Sequence, residues 1–269
     1  MCVAASGVGM ICVYILAAVL GLVLGSFANC MAYRLARGES FVTGRSRCPA
    51  CGHTLAAREL IPLVSYVVQR GRCRACGAKI SPRYPVTECL LALAFASLPW
   101  RFGLTPALIP YGALMVILMA AALVDLDTGE LPDGLLLAGA IDFLLYAATQ
   151  RGGFGVTLLR GLIGAAAVAV PLFFLVLLFD RLFKKETMGG GDLKLIAMLC
   201  LWLGWQGSLL LLLISCVLGI LFAMIFRRVR VRDAKEAGAF PFGPALCLAA
   251  WATFLWGETI VNWYFGLFF

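Results

Sequence analysis

KKETMGGGDLKLIAMLCLWLGWQGSLLLLLISCVLGILFAMIFRR, residues 184–228, decides how this chain is built. Lysines open it, arginines close it, and residues 193–226 are almost entirely apolar. A helix needs about 20 apolar residues to cross the hydrocarbon core of a bilayer. Clusters of Lys and Arg next to spans stay on one side of the membrane. The segment between the two clusters therefore crosses an even number of times. It predicts a hairpin of two short helices turning near Gly204-Trp205-Gln206-Gly207.

The rest of the chain follows the same logic. It has 269 residues, 62% hydrophobic and only 13% charged, too much apolar surface for a soluble domain. Apolar runs lie at about 8–33, 86–100, 106–124, 131–149, 156–179, 193–204, 207–226 and 240–266. The net charge of +8 is not spread over the sequence. Most of the Lys and Arg residues fall in 34–83, 181–185 and 227–235, which reports orientation and argues against nucleic-acid binding. Four runs separate the first basic cluster from the second, again an even number. The expectation is an all-α polytopic membrane protein of about eight transmembrane helices, with both termini outside. Residues 1–33 form the first span, 34–85 a small cytoplasmic insertion, and 86–269 a seven-helix membrane domain. The apolar N-terminal run has no basic segment before it and reads as a retained span, not a cleaved signal. Residues 227–239 read as a mobile charged loop.

Four of the eleven cysteines are patterned. Cys48-Pro49-Ala50-Cys51 and Cys73-Arg74-Ala75-Cys76 are each followed by glycine, Gly52 and Gly77, which lets the backbone turn its N–H groups toward the sulfurs. Four thiolates in two such knuckles suit a closed, structural zinc site with no open position for catalysis. Reduced thiols or a redox pair are the alternative. His53, the only histidine, follows the first knuckle and is left out of the ligand set.

Two acidic motifs flank the later spans: Asp125-Leu126-Asp127-Thr128-Gly129-Glu130-Leu131-Pro132-Asp133, and Gly189-Gly190-Gly191-Asp192. Ionisable groups beside spans are costly and default to functional candidates. The first motif fails as a calcium loop, because its fifth and sixth positions are Gly and Glu. Asp133 after Pro132 also suits a helix N-cap, as does Asp192 after its glycines. Three consecutive glycines exceed what a cap requires and allow close approach of another chain. The helix count places Asp125 and Asp192 at one membrane face. Two carboxyl groups sharing a site hold one proton between them, so one acts as base on water while the other polarises a carbonyl. Glu88, Asp142 and Glu258 are further ionisable residues in or near spans.

In these features the chain resembles the type IV prepilin peptidases. The shared residues run through Gly25-Ser26-Phe27-Ala28-Asn29, Tyr33-Arg34-Leu35, both cysteine knuckles, Ile61-Pro62-Leu63-Val64-Ser65-Tyr66, and Ile80-Ser81-Pro82-Arg83-Tyr84-Pro85 with Glu88. They continue through Asp125–Asp133, Gly189–Lys194 and Pro241-Phe242-Gly243-Pro244. The resemblance implies an aspartyl membrane protease with Asp125 and Asp192 as catalytic acids. Asp127 is the rival for the first position, and Asp127, Asp133, Gly189, Gly191 and Lys194 are supporting residues. It implies cleavage of type IV prepilin or pseudopilin substrates after a Gly on the cytoplasmic side of the inner membrane. N-methylation with S-adenosylmethionine follows, placed in the 25–85 region around a structural Zn2+ on Cys48, Cys51, Cys73 and Cys76. An acidic strip of Asp127, Glu130 and Asp133 would attract the basic leader. An ion- or proton-coupled transporter and a non-enzymatic assembly factor are the competing readings. The sequence sets no oligomeric state.

Overall fold

A computed structural model describes residues 7–230 and 241–267. They form eight α-helices: α1 (Gly7–Leu35), α2 (Val64–Val68), α3 (Arg83–Phe102), α4 (Leu108–Thr128), α5 (Asp133–Thr149), α6 (Phe154–Phe183), α7 (Gly190–Arg230) and α8 (Gly243–Gly266). Among the described residues the only β-type pairing is two isolated bridges, Arg47–Thr54 and Arg72–Lys79. The chain divides into two compact units, Met1–Leu123 and Val124–Phe269.

Five helices, α1, α4, α6, α7 and α8, are long and apolar enough to cross a membrane. Their outward side chains are bulky and apolar. On α1 Val8, Leu16 and Val19 are exposed, and on α6 Phe174, Leu178 and Leu182. Such surfaces are satisfied by lipid, not water. Helix α3 carries Arg83, Glu88 and Arg101, and α5 has 17 residues, so both depend more on their neighbours for burial.

In the first unit α1 and α3 lie antiparallel. A Cβ on Gly21 would stand 2.6 Å from the Leu91 carbonyl, and one on Gly25 2.8 Å from the Glu88 Cα, so only glycine permits this approach. Packing through small residues is how membrane helices associate without a hydrophobic driving force between them. One turn further along α1, the Asn29 amide bonds the Thr87 hydroxyl.

In the second unit α7 is not one rod. Gly204 has φ 64° and ψ −176°, a conformation open only to glycine, and it breaks the helix into two arms. The reversal is visible in what each arm touches. Gly191, beside Asp192 on the first arm, packs on Leu131 just past the end of α4, where the Asp125 carboxylate is bonded to Gly243 at the start of α8. Gly219, on the second arm, packs on Phe242 beside that same end. A straight helix would separate residues 192 and 219 by about 40 Å. Near the turn, Gly164 of α6 presses on the Gly204 backbone, and Trp202 packs against Phe143, Tyr146 and Phe254. The expected hairpin is present; its two arms, with α1, α3, α4, α5, α6 and α8, make eight helical segments among the described residues apart from the short α2. The second arm stays helical to Arg230, which corrects the start of the expected charged loop. From residue 231 to 239 that loop lies outside the described residues.

Candidate active site

The first acidic motif folds as a helix end, a stop and a helix start. Asp125 lies in the last turn of α4. Gly129, with φ 71°, closes that helix by donating its N–H to the Asp125 carbonyl at 2.8 Å. Leu131 and Pro132 lead into α5, which begins at Asp133. This tight connection leaves the Asp125 side chain facing the interior, only 4% exposed, while Asp127 and Glu130 point to the surface.

Asp192 lies in the first turn of α7, the third helical residue and therefore not the N-cap. Although 67 positions part it from Asp125 in sequence, Asp192 lies near enough for the two carboxyl charges to be felt by one another. Of the three glycines before it, only Gly191 is crowded: a Cβ there would meet the Leu131 Cβ at 3.0 Å. Gly190 faces open space, and a Cβ on Gly189 would meet only Asp192 Oδ2 at 3.4 Å. The glycines thus let α7 approach the 129–132 connection and leave room beside the Asp192 carboxylate.

A third participant escaped sequence reasoning. The Gly243 N–H donates to Asp125 Oδ2 at 2.8 Å, both groups being buried. Gly243 opens α8, with Phe242 as N-cap and a proline in the first turn. A helix N-terminus presents unsatisfied N–H groups and positive potential, so it is a natural seat for a carboxylate. The signal was the Pro-Phe-Gly-Pro motif, whose purpose needs the tertiary fold to be seen.

Asp133 does not cap α5. Its carboxylate takes the Lys194 ammonium at 2.7 Å, tying the first turns of α5 and α7 together. Both side chains are well exposed, so the pair adds little to stability. It also neutralises one member of the expected acidic strip. Asp142 lies apart from the dyad, well inside α5, with its Oδ2 buried and unpartnered among the described residues.

In the first unit the two knuckles are near copies of each other. Cys48 N–H bonds His53 O at 2.9 Å and Gly52 N–H bonds Cys48 O at 2.9 Å. Cys73 and Ala78, and Gly77 and Cys73, repeat the pattern at 2.8 and 2.9 Å. Gly52 and Gly77 share a φ of 72°. The four sulfurs lie within 4.8 Å of one another, and Cys48 and Cys76 are 4.0 Å apart. A tetrahedron with metal–sulfur bonds of about 2.3 Å has edges near 3.8 Å, so the cluster can hold one metal ion. The Cys51 N–H, aided by that of Ala50, aims at Cys48 and draws its thiol down to about 7. His53 turns away to Glu59, whose carboxyl is held low first by the Ala56 N–H and then by the histidine.

Residues 19–102 match the bacterial Peptidase A24 N-terminal domain, and residues 112–224 the type IV leader peptidase family. The first match contains the four cysteines, the second Asp125 and Asp192. The chain is 39% identical to the prepilin leader peptidase/N-methyltransferase of Aeromonas salmonicida (strain A449), over 82% of this chain and 74% of that one. Identity to the protein of the same name from Pseudomonas aeruginosa is 35%, over 91% of each chain, and to that from Neisseria gonorrhoeae 33%, over 93% of each. No solved structure is significantly similar. The transporter and assembly-factor readings find no counterpart among these relatives. With its multi-pass helical fold and two matched regions spanning most of its length, the chain belongs to the type IV leader peptidase family.

Proposed function

We propose that this protein is a membrane aspartyl endopeptidase that removes the basic leader of type IV prepilin- or pseudopilin-like proteins, and then methylates the new N-terminus. The observation that carries the reading is the approach of the α7 start to the α4 end: Gly191 packs on Leu131, which brings Asp192 within charge range of Asp125 at one end of the second unit. That end also receives Lys184 and Lys185 after α6, and Arg227, Arg228 and Arg230 on α7. By the positive-inside rule it faces the cytoplasm, so cleavage takes place at the inner face of the inner membrane.

The chemistry needs one proton on the two carboxyl groups. The ionised one takes a proton from water as the oxygen attacks the carbonyl of the leader's terminal glycine. The protonated one hydrogen-bonds the carbonyl oxygen as it becomes negative. Return of a proton to the departing amine breaks the C–N bond and restores the pair. Gly243 N–H fixes Asp125 for this work, and the missing side chains at Gly189 and Gly190 leave an extended backbone unobstructed beside Asp192. Asp127 lies on the surface and is the weaker candidate for the first acid.

The 34–85 region serves as the methyltransferase part, with S-adenosylmethionine as methyl donor and the released amine as acceptor. Its four cysteines suit Zn2+, which as a closed four-thiolate site supplies structure alone. The purified full-length chain is expected to carry about one zinc per chain, and Cys48→Ser to carry none, by elemental analysis.

The function is tested with purified protein and a peptide whose basic leader ends in Gly followed by Phe. Mass spectrometry is expected to find the peptide cut after that glycine, and one added methyl on Phe only when S-adenosylmethionine is supplied. An intact peptide under both conditions would refute the reading.

A further inference from the structure

Residues 36–82 join the end of α1, a helix long and apolar enough to cross a membrane, to the start of α3, which packs antiparallel along it. This segment carries eight basic and two acidic side chains. One point of it is held against the start of α3. Leu63 adopts φ 58° and ψ −49°, and the Val64 N–H returns to the Pro62 carbonyl at 2.6 Å. This is the positive-φ γ-turn, rare and strained for a residue with a side chain. The turn frees the Leu63 N–H to donate to Glu88 Oε2 at 2.8 Å. Glu88 is buried five residues into α3, about 7.5 Å along the axis from Arg83. Its side chain leans back toward the helix start. The bond therefore forms near the first turn of α3, at the end of the helix that carries Arg83.

Around this anchor Leu60, Ile61, Val64, Val67 and Val68 are all exposed, the last two by 72% and 68%. Beside them Arg70, Arg72 and Lys79 line an open concavity of about 440 Å³ together with Tyr66 and Ser81. None of these three cations has an ion-pair partner among the described residues. Exposed apolar side chains next to uncompensated positive charge have the character of an element lying in the membrane interface.

We propose that residues 60–72, with Lys79, form a docking element for the anionic phospholipid surface. The apolar side chains enter the acyl boundary, the three cations take lipid phosphates, and the four-cysteine module is held against the bilayer. This rests on the membrane-spanning fold and is independent of the peptidase reading.

Hydrogen exchange on the full chain, one copy per nanodisc, tests it. The Ser65, Val67 and Gln69 amides close α2, so opening them requires undocking. Their exchange is expected to be about 100-fold slower in phosphatidylcholine discs containing phosphatidylglycerol than in pure phosphatidylcholine, about fivefold for each basic side chain. The combined Arg70→Gln, Arg72→Gln and Lys79→Gln variant should lose that difference, as should Val67→Ser with Val68→Ser. Equal exchange in both lipids would overturn the proposal. So would protection that appears only with two copies per disc, or only when leader peptide is added, since the face would then serve a second copy or the substrate.

Discussion

Asp125→Asn and Asp192→Asn are each expected to leave the leader attached, with cleavage reduced by about 10³-fold or more. Lost packing is not the cause. Asparagine keeps the shape of aspartate, and at position 125 its amide oxygen still accepts the Gly243 N–H that now meets Oδ2. Only the capacity to exchange a proton disappears. Because the two acids work as one unit, the double variant should be hardly worse than either single one. Asp127→Asn should stay within a few-fold of wild type, since that side chain faces the surface. The measurement is a time course of peptide cleavage by mass spectrometry, with thermal unfolding to check that each variant is folded. Methyl transfer to a peptide already cut to an N-terminal Phe should persist in both single variants. Substantial cleavage by Asp192→Asn would remove the dyad from the mechanism.

Much of this arrangement was legible in the sequence because the bilayer is a severe solvent. The basic clusters at 184–185 and 227–230 required residues 193–226 to turn back, and Gly204 does so at the near edge of the stretch expected to turn. The knuckles were legible because Cys-x-x-Cys-Gly is a local rule of backbone geometry. Contacts between distant segments were not. Asp133 after Pro132 satisfies the local pattern of a cap, yet the long Lys194 side chain reaches it from α7. The three glycines before Asp192 look equivalent in sequence, and only the position of Leu131 makes Gly191 different. The strained turn at Leu63 has no sequence signal of its own, since leucine is a poor residue for positive φ. It exists because Glu88 on another element accepts the N–H that the turn exposes.

Gly243→Ala should cut cleavage by about 10²-fold although it removes no reacting group. A Cβ at this position would stand 2.7 Å from Asp125 Oδ2 and 3.0 Å from its Cγ. Those atoms cannot remain where they are. Either the carboxylate rotates off the Gly243 N–H, or the start of α8 moves away from α4. Both moves misplace Asp125 relative to Asp192 by a good fraction of an ångström, and displacements of about 1 Å cost on the order of 10²-fold in rate. Overpacking costs about 1–3 kcal/mol of stability, too little to unfold a typical domain. Activity should therefore fall much further than thermal stability. Gly134→Ala is the matched control, because that glycine lies in the first turns of α5 with nothing near its missing Cβ. Cleavage rate and unfolding temperature measured on both variants decide the matter. If Gly243→Ala cuts as fast as Gly134→Ala, the N–H of Gly243 does not position the first catalytic acid. If it loses rate and stability in proportion, its role is packing alone.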